Sequence, residues 1–122
     1  MIKKEVICYS GFSMGGFEAC ELLENNKAKI NALETSAEII EIKEYKILTF
    51  WDKIEEIGVW KWNKKYPIKE SKYEILDGYN WDLKLRDRNG RAKYCKGYEG
   101  YPGKFKDFIK ELNYLFGSKI EF

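Results

Sequence analysis

A chain of 122 residues with 44% hydrophobic and 16% aromatic side chains can bury one modest core. It has no histidine, 22 Lys and Arg against 20 Asp and Glu, and a net charge of +2. These totals exclude a Ser-His-Asp triad and a histidine-ligated zinc site, and they speak against nucleic-acid binding, which calls for a more basic chain.

No apolar run approaches the roughly 20 residues of a membrane span. The opening Met1-Ile2-Lys3-Lys4-Glu5-Val6-Ile7 lacks the apolar stretch and cleavage site of a signal peptide, so a cytoplasmic protein with no membrane contact is expected. Cys8, Cys20 and Cys95 are odd in number and show no C-x-x-C spacing, which predicts buried or idle thiols, no disulfide framework and no metal site. No Walker A or Rossmann spacing occurs, so no cofactor is expected. The charge is blocked: Glu-rich from Glu18 to Glu44, Lys-rich from Lys61 to Lys72 and basic from Lys84 to Lys96. An acidic and a basic surface on one body are implied.

In chain order, Ile2 to Ser10 reads as a strand and Gly11 to Gly16 as a turn or loop. Gly11-Phe12-Ser13-Met14-Gly15 matches G-x-S-x-G, the nucleophile elbow of the α/β-hydrolases, where a serine sits on a sharp strand-to-helix turn. That serine would need a general base. Histidine is absent, only a Ser-Lys arrangement is formally open, and 122 residues are few for the large parallel sheet of that fold. The glycines therefore read as loop markers and the chain as non-enzymatic. Phe17 to Leu23 fits a helix, with Phe17, Cys20 and Leu23 on one side. It also fits a strand ending at Glu24-Asn25-Asn26-Lys27, with Ala28 to Leu33 returning. The Asn-Asn turn favours the strand.

Glu38 to Ile42 alternates and leads into a helix that ends near Ile57. Ile47, Phe50 or Trp51, Ile54 and Ile57 recur at helical spacing, Thr49 with Asp52 resembles a capping box, and Gly58 is a stop. In Val59-Trp60-Lys61-Trp62, an extended chain would point both Trp side chains the same way, towards core or groove. Trp81 to Leu85 alternates strictly, Asn89-Gly90 signals a hairpin, and Arg91 to Lys96 returns. After the loop Gly97 to Pro102, Phe105, Phe108, Ile109, Leu112, Leu115 and Phe116 define an amphipathic helix from about Gly103 to Phe116, closed by Gly117. Strands, helix, hairpin, helix: the order predicts an α+β fold, a single small domain over residues 1–122, with an antiparallel sheet and two helices packed on one face.

Phe50-Trp51, Trp62, Tyr66, Asp77-Gly78, Trp81, Gly97 and Tyr101-Pro102 together resemble the pattern of a family of small bacterial and phage proteins. That pattern has a Phe-Trp helix, an Asp-Gly-x-x-Trp hairpin and a Tyr-Pro turn before the last helix. It covers about the last two thirds of the chain. An Asn often falls between the Gly and the Tyr-Pro of the family, where this chain has Glu99. The resemblance implies the same fold and carries no activity with it. Abundant Lys, Glu, Ile, Asn and Tyr also suit an AT-rich bacterial or phage genome.

Asp77, Asp82 and Glu74 form a possible carboxylate cluster, but Asp77-Gly78 reads more simply as a turn and Asp82 as an outward strand residue. Basic residues are more informative. A two-residue turn at Asn89-Gly90 would set Arg88 opposite Arg91, Arg86 opposite Lys93 and Lys84 opposite Cys95. One face would then carry Lys84, Arg86, Arg88, Arg91 and Lys93, and the other Trp81, Leu83, Leu85 and Tyr94. Opposed like charges destabilise a hairpin. They point to solvated protection of an edge, to pairing with the Glu-rich region, or to an anionic ligand. Trp62, Tyr98 and Tyr101 add flat surfaces that could stack on such a ligand or cap the core. The expected function is a non-enzymatic binding protein for an anionic, nucleotide-type small molecule, as in phage counter-defence sequestration. The alternative is an inhibitor or immunity-type module that meets a host protein through a charged patch. A homo-oligomer fits either.

Overall fold

Along the first strand every second residue is buried: Ile7, Tyr9 and Gly11 turn inward while Phe12 faces out. This two-residue period, repeated strand by strand, builds the molecule. The computed structural model describes residues 4–13, 16–31, 38–66 and 79–120. Among these, the strands are β1 (Val6–Ser13), β2 (Gly16–Leu22), β3 (Lys27–Asn31), β4 (Glu38–Glu41), β5 (Lys65–Tyr66), β6 (Asn80–Arg86) and β7 (Ala92–Tyr98). The helices are α1 (Glu44–Ile57) and α2 (Phe105–Phe116). The strands form one sheet in the order β4-β3-β2-β1-β6-β7-β5. Every neighbouring pair is antiparallel except β5 with β7. The fold is α+β, as the element order predicts.

Ladder register sets Tyr9 beside Cys20 and Leu83, and Leu83 beside Cys95, so these side chains share the inward face. The rings of α2 meet that face: Phe105 and Phe108 contact Tyr9, and Phe105 lies 4.7 Å from Trp81. Phe50 of α1 contacts Phe108 in turn, and the buried positions of both helices and the strands form one apolar cluster.

Several sequence expectations change. The first strand runs to Ser13 rather than stopping at Ser10, and Ser13 pairs with Gly16 of β2. Residues 14–15 of the G-x-S-x-G match lie outside the described residues, but the next element after Ser13 is the antiparallel strand β2. The strand-to-helix turn of a nucleophile elbow is not built. The ambiguous Phe17 to Leu23 is strand. A short 3-10 turn at Glu24–Asn26, with Asn25 and Asn26 at positive φ, returns the chain into β3. Asn tolerates this region because its short polar side chain bonds locally. Helix α1 starts at Glu44, so Thr49 is interior and its hydroxyl donates to the Tyr45 carbonyl at 2.8 Å; it caps nothing. Val59–Lys61 is a 3-10 turn, which sends Trp60 and Trp62 apart. The last helix begins at Phe105, two residues beyond Gly103.

The hairpin register is the most consequential correction. Asp87 N donates to the Arg91 carbonyl at 2.9 Å and Gly90 N to the Asp87 carbonyl at 3.1 Å, which closes a three-residue loop, Arg88-Asn89-Gly90. The Asp87 carboxylate accepts from the amides of Asn89 (3.0 Å) and Arg91 (2.9 Å), and Gly90 takes φ +89. This is the turn that ends in a left-handed residue, favoured by Asp at its start and Gly at its end. One extra loop residue shifts the pairing by one, and a shift of one exchanges faces. Arg86 faces Ala92, Leu85 faces Lys93, and Lys84 faces Tyr94. The opposed cations do not exist. Lys84 and Arg86 point outward with Tyr94, whereas Lys93 shares the inward face with Leu85.

The loop cations pin the hairpin tip to α1. Arg88 bonds Glu44 and also Glu5 at 3.0 Å, while Arg91 lies 2.6 Å from Glu55 and stacks on Trp60 at 4.1 Å. Trp60 in turn stacks on Trp51, whose indole N–H donates to Glu5 at 2.6 Å. Hydrogen bonds from Asn26 and Arg88 hold the Glu44 carboxyl below its ordinary value. A lowered folded-state value means stability that is present above the unfolded carboxylate range and lost as pH falls through the folded one. The melting temperatures of wild type and Glu44→Gln should therefore differ at neutral pH and converge in acid. A difference independent of pH would contradict the pairing.

Candidate functional site

Three aromatic side chains and two lysines converge where α1 ends. After the 3-10 turn, Trp62 enters the core, 8% exposed, against Phe105 and Phe108, while Lys61 stays exposed. The Tyr66 hydroxyl accepts from the Asn63 amide at 2.8 Å, and Lys96 N donates to the Lys64 carbonyl at 2.9 Å, so the segment is tied down on both sides. Strand β5 then lies beside β7, with Tyr66 at Gly97. The Tyr66 ring stacks on Trp81 at 6.0 Å, and the Trp81 indole N–H donates to the Gly100 carbonyl at 2.9 Å. This close approach needs Gly97, because a Cβ there would sit 2.3 Å from Trp81 Nε1. Tyr101 packs on Phe105 at 5.2 Å, and the Gly100–Gly103 segment makes the opposite wall.

The open cleft between these walls has a volume of about 690 Å³, within the ordinary range for small-molecule sites. Lys61 and Lys65 are exposed residues of its lining, beside Tyr66, Tyr101 and the largely buried Trp62, and none of the described residues lining it is acidic. Among the described residues neither lysine pairs with a carboxylate. A smaller hollow of about 290 Å³ adjoins it, shares Lys65 and Tyr66, and is lined by Asn80, Asp82, Lys96 and Tyr98.

Glu99 has a structural place. Its carboxylate accepts from the Tyr79 amide at 2.5 Å and its own amide donates to the Tyr79 carbonyl at 2.9 Å, so it closes the ends of β6 and β7. The Tyr79 hydroxyl meets Tyr9 at 2.7 Å and donates to Glu18 at 3.1 Å. Burial pushes both phenols far up, which keeps them protonated as hydrogen-bonding groups. Burial likewise raises the thiols of Cys8, Cys20 and Cys95, and it closes off those of Cys20 and Cys95, whereas Cys8 is only partly buried.

Of the site residues read from sequence, Trp62 and Tyr101 line the cleft and Tyr98 lines the adjoining hollow. Lys84, Arg86, Arg88, Arg91 and Lys93 line neither. Arg88 and Arg91 are engaged with carboxylates, and Lys84, Arg86 and Lys93 are divided between two faces. Asp82 is exposed on the outward side, whereas Glu74 and Asp77 lie outside the described residues. Among the described residues no cluster of His, Cys, Asp and Glu could hold a metal ion. Sequence reasoning missed Lys61, Lys65 and Tyr66. Their signal was present: the Lys-rich block begins inside Trp60-Lys61-Trp62-Asn63-Lys64-Lys65-Tyr66, where cations and rings alternate. Comparison with known proteins gives no match to a family model, to a curated protein or to a solved structure.

Proposed function

We propose that the chain is a non-enzymatic binding domain for an anionic small molecule with a flat ring, of nucleotide type, held in the cleft between the end of α1 and the Gly100–Gly103 segment. The observation that carries this reading is the lining: among the described residues, two lysines without a carboxylate partner, three aromatic rings and no acidic side chain around one cavity. Lysine ammoniums attract phosphate as point charges, and ring faces of Tyr and Trp accept a base by stacking. The role is sequestration or sensing, with a phage counter-defence protein as its concrete form. Engagement of Arg88 and Arg91 inside the chain counts against a ligand on the hairpin, and favours the cleft for the same chemistry.

Thermal shift with nucleotides, cyclic nucleotides and inorganic phosphate tests the proposal. A ligand at about 100 times its dissociation constant adds roughly 2.7 kcal/mol of apparent stability, or about 10 °C in a domain of this size. Lys61→Gln with Lys65→Gln should abolish the shift while leaving the unliganded melting temperature unchanged, since both side chains are exposed. Absence of a shift with every nucleotide removes this reading and favours the protein-binding module.

A further inference from the structure

One face of the sheet takes the rings of α2 at Tyr9 and Trp81; the side chains of the opposite face are largely exposed along the strands. An antiparallel sheet can leave one face to water, but such a face is then normally polar. Here it holds Phe12 (54% exposed), Phe17 (46%), Ile39 (63%) and Tyr94 (51%). Phe12 and Phe17 are directly opposed across β1 and β2, so they form one apolar patch.

One ladder row on this face sets opposite charges on the two sides of β1. The ladders place Lys29, Glu21, Cys8, Lys84 and Tyr94 in one row across β3, β2, β1, β6 and β7. Glu21 stands one strand to one side of β1 and Lys84 one strand to the other. Lys29 and Tyr94 stand two strands away on the same respective sides. We propose that a second copy of this chain docks on this face, about a two-fold axis running along β1 between the two sheets. Such an axis exchanges the two sides. Each Glu21 then meets the second copy's Lys84, and each Lys29 meets the ring of the second copy's Tyr94. On the axis, Phe12 meets its own counterpart, with Phe17 beside it. A two-fold interface has to be self-complementary, and this row is. Packed sheets stand about 10 Å apart, which is room for one interdigitated layer of such side chains.

Sedimentation velocity over a concentration series tests it. Wild type should sediment as a dimer, and Glu21→Lys or Lys84→Glu alone as monomers. The double reversal, Glu21→Lys with Lys84→Glu, should restore the dimer because it inverts the pairs without removing them. Phe12→Ser should also give monomers. Lys84→Glu and Phe12→Ser change exposed positions and decide the question even if Glu21→Lys, set beside Lys29 in its own chain, fails to fold. A short bismaleimide should link wild-type chains through Cys8, the one cysteine that is not buried, and Cys8→Ser should stay unlinked. A wild type that remains monomeric throughout, or a dimer indifferent to single reversal, overturns the proposal.

Discussion

Phe108→Ala is expected to cost about 3–5 kcal/mol, a large part of the total stability of a domain this size. Phe108 is fully buried in α2 and touches rings from three other parts of the fold: Tyr9 of β1 at 6.4 Å, Phe50 of α1 at 6.5 Å and Trp62 at 5.4 Å. Truncation removes the burial of a large ring and leaves a void that rigid aromatic neighbours cannot close. It also loosens the inner wall of the cleft, since Trp62 packs on the same ring. Urea denaturation measures the loss, and Lys106→Ala, on the exposed side of the same helix, should change it little. A Phe108→Ala protein within roughly 1 kcal/mol of wild type would be incompatible with α2 as a core element.

Gly97→Ala is expected to cost about 3 kcal/mol, from overpacking and from disturbance of the partly buried Trp81–Gly100 hydrogen bond. The added Cβ would approach Trp81 Nε1 to 2.3 Å and the Gly100 carbonyl oxygen to 2.5 Å. Neither is a flexible side-chain tip: Trp81 is 1% exposed and wedged against Phe105 and Tyr66. Relief requires moving Trp81 or the segment that forms the cleft wall, so any stabilisation by the proposed ligand should fall with the folding free energy. Gly103→Ala is the control, because nothing lies within 4 Å of a Cβ there. Near-UV circular dichroism and denaturation read both effects. Equal stability of the two glycine variants would contradict a tight approach of Trp81 to the β7 backbone.

Element types were legible in the amino-acid sequence wherever a period was long. The six apolar positions of α2 are all buried, and Trp81, Leu83 and Leu85 are the inward residues of β6, because each is set by one element's own geometry. The Asn25-Asn26 turn was equally local, since the left-handed backbone it needs is a property of those residues. Features that depend on partners distant in the chain came from the folded arrangement alone. Pairing with the Glu-rich region is one of three readings open for Arg88 and Arg91, and only the fold selects it, by setting Glu44 of that region, with Glu5 and Glu55, beside them. Gly11 read as a loop marker, yet it lies within β1, where a Cβ would meet the Tyr79 hydroxyl at 1.8 Å. The hairpin shows how narrow the margin is. Asp87 and Gly90 already encoded the longer loop, but reading Asn89-Gly90 alone shifted the register by one and moved every later side chain of β7 to the wrong face. The cleft was the least legible part, because Lys61, Tyr66 and Tyr101 meet only after β5 adds beside β7, a pairing across about thirty residues that no local period announces.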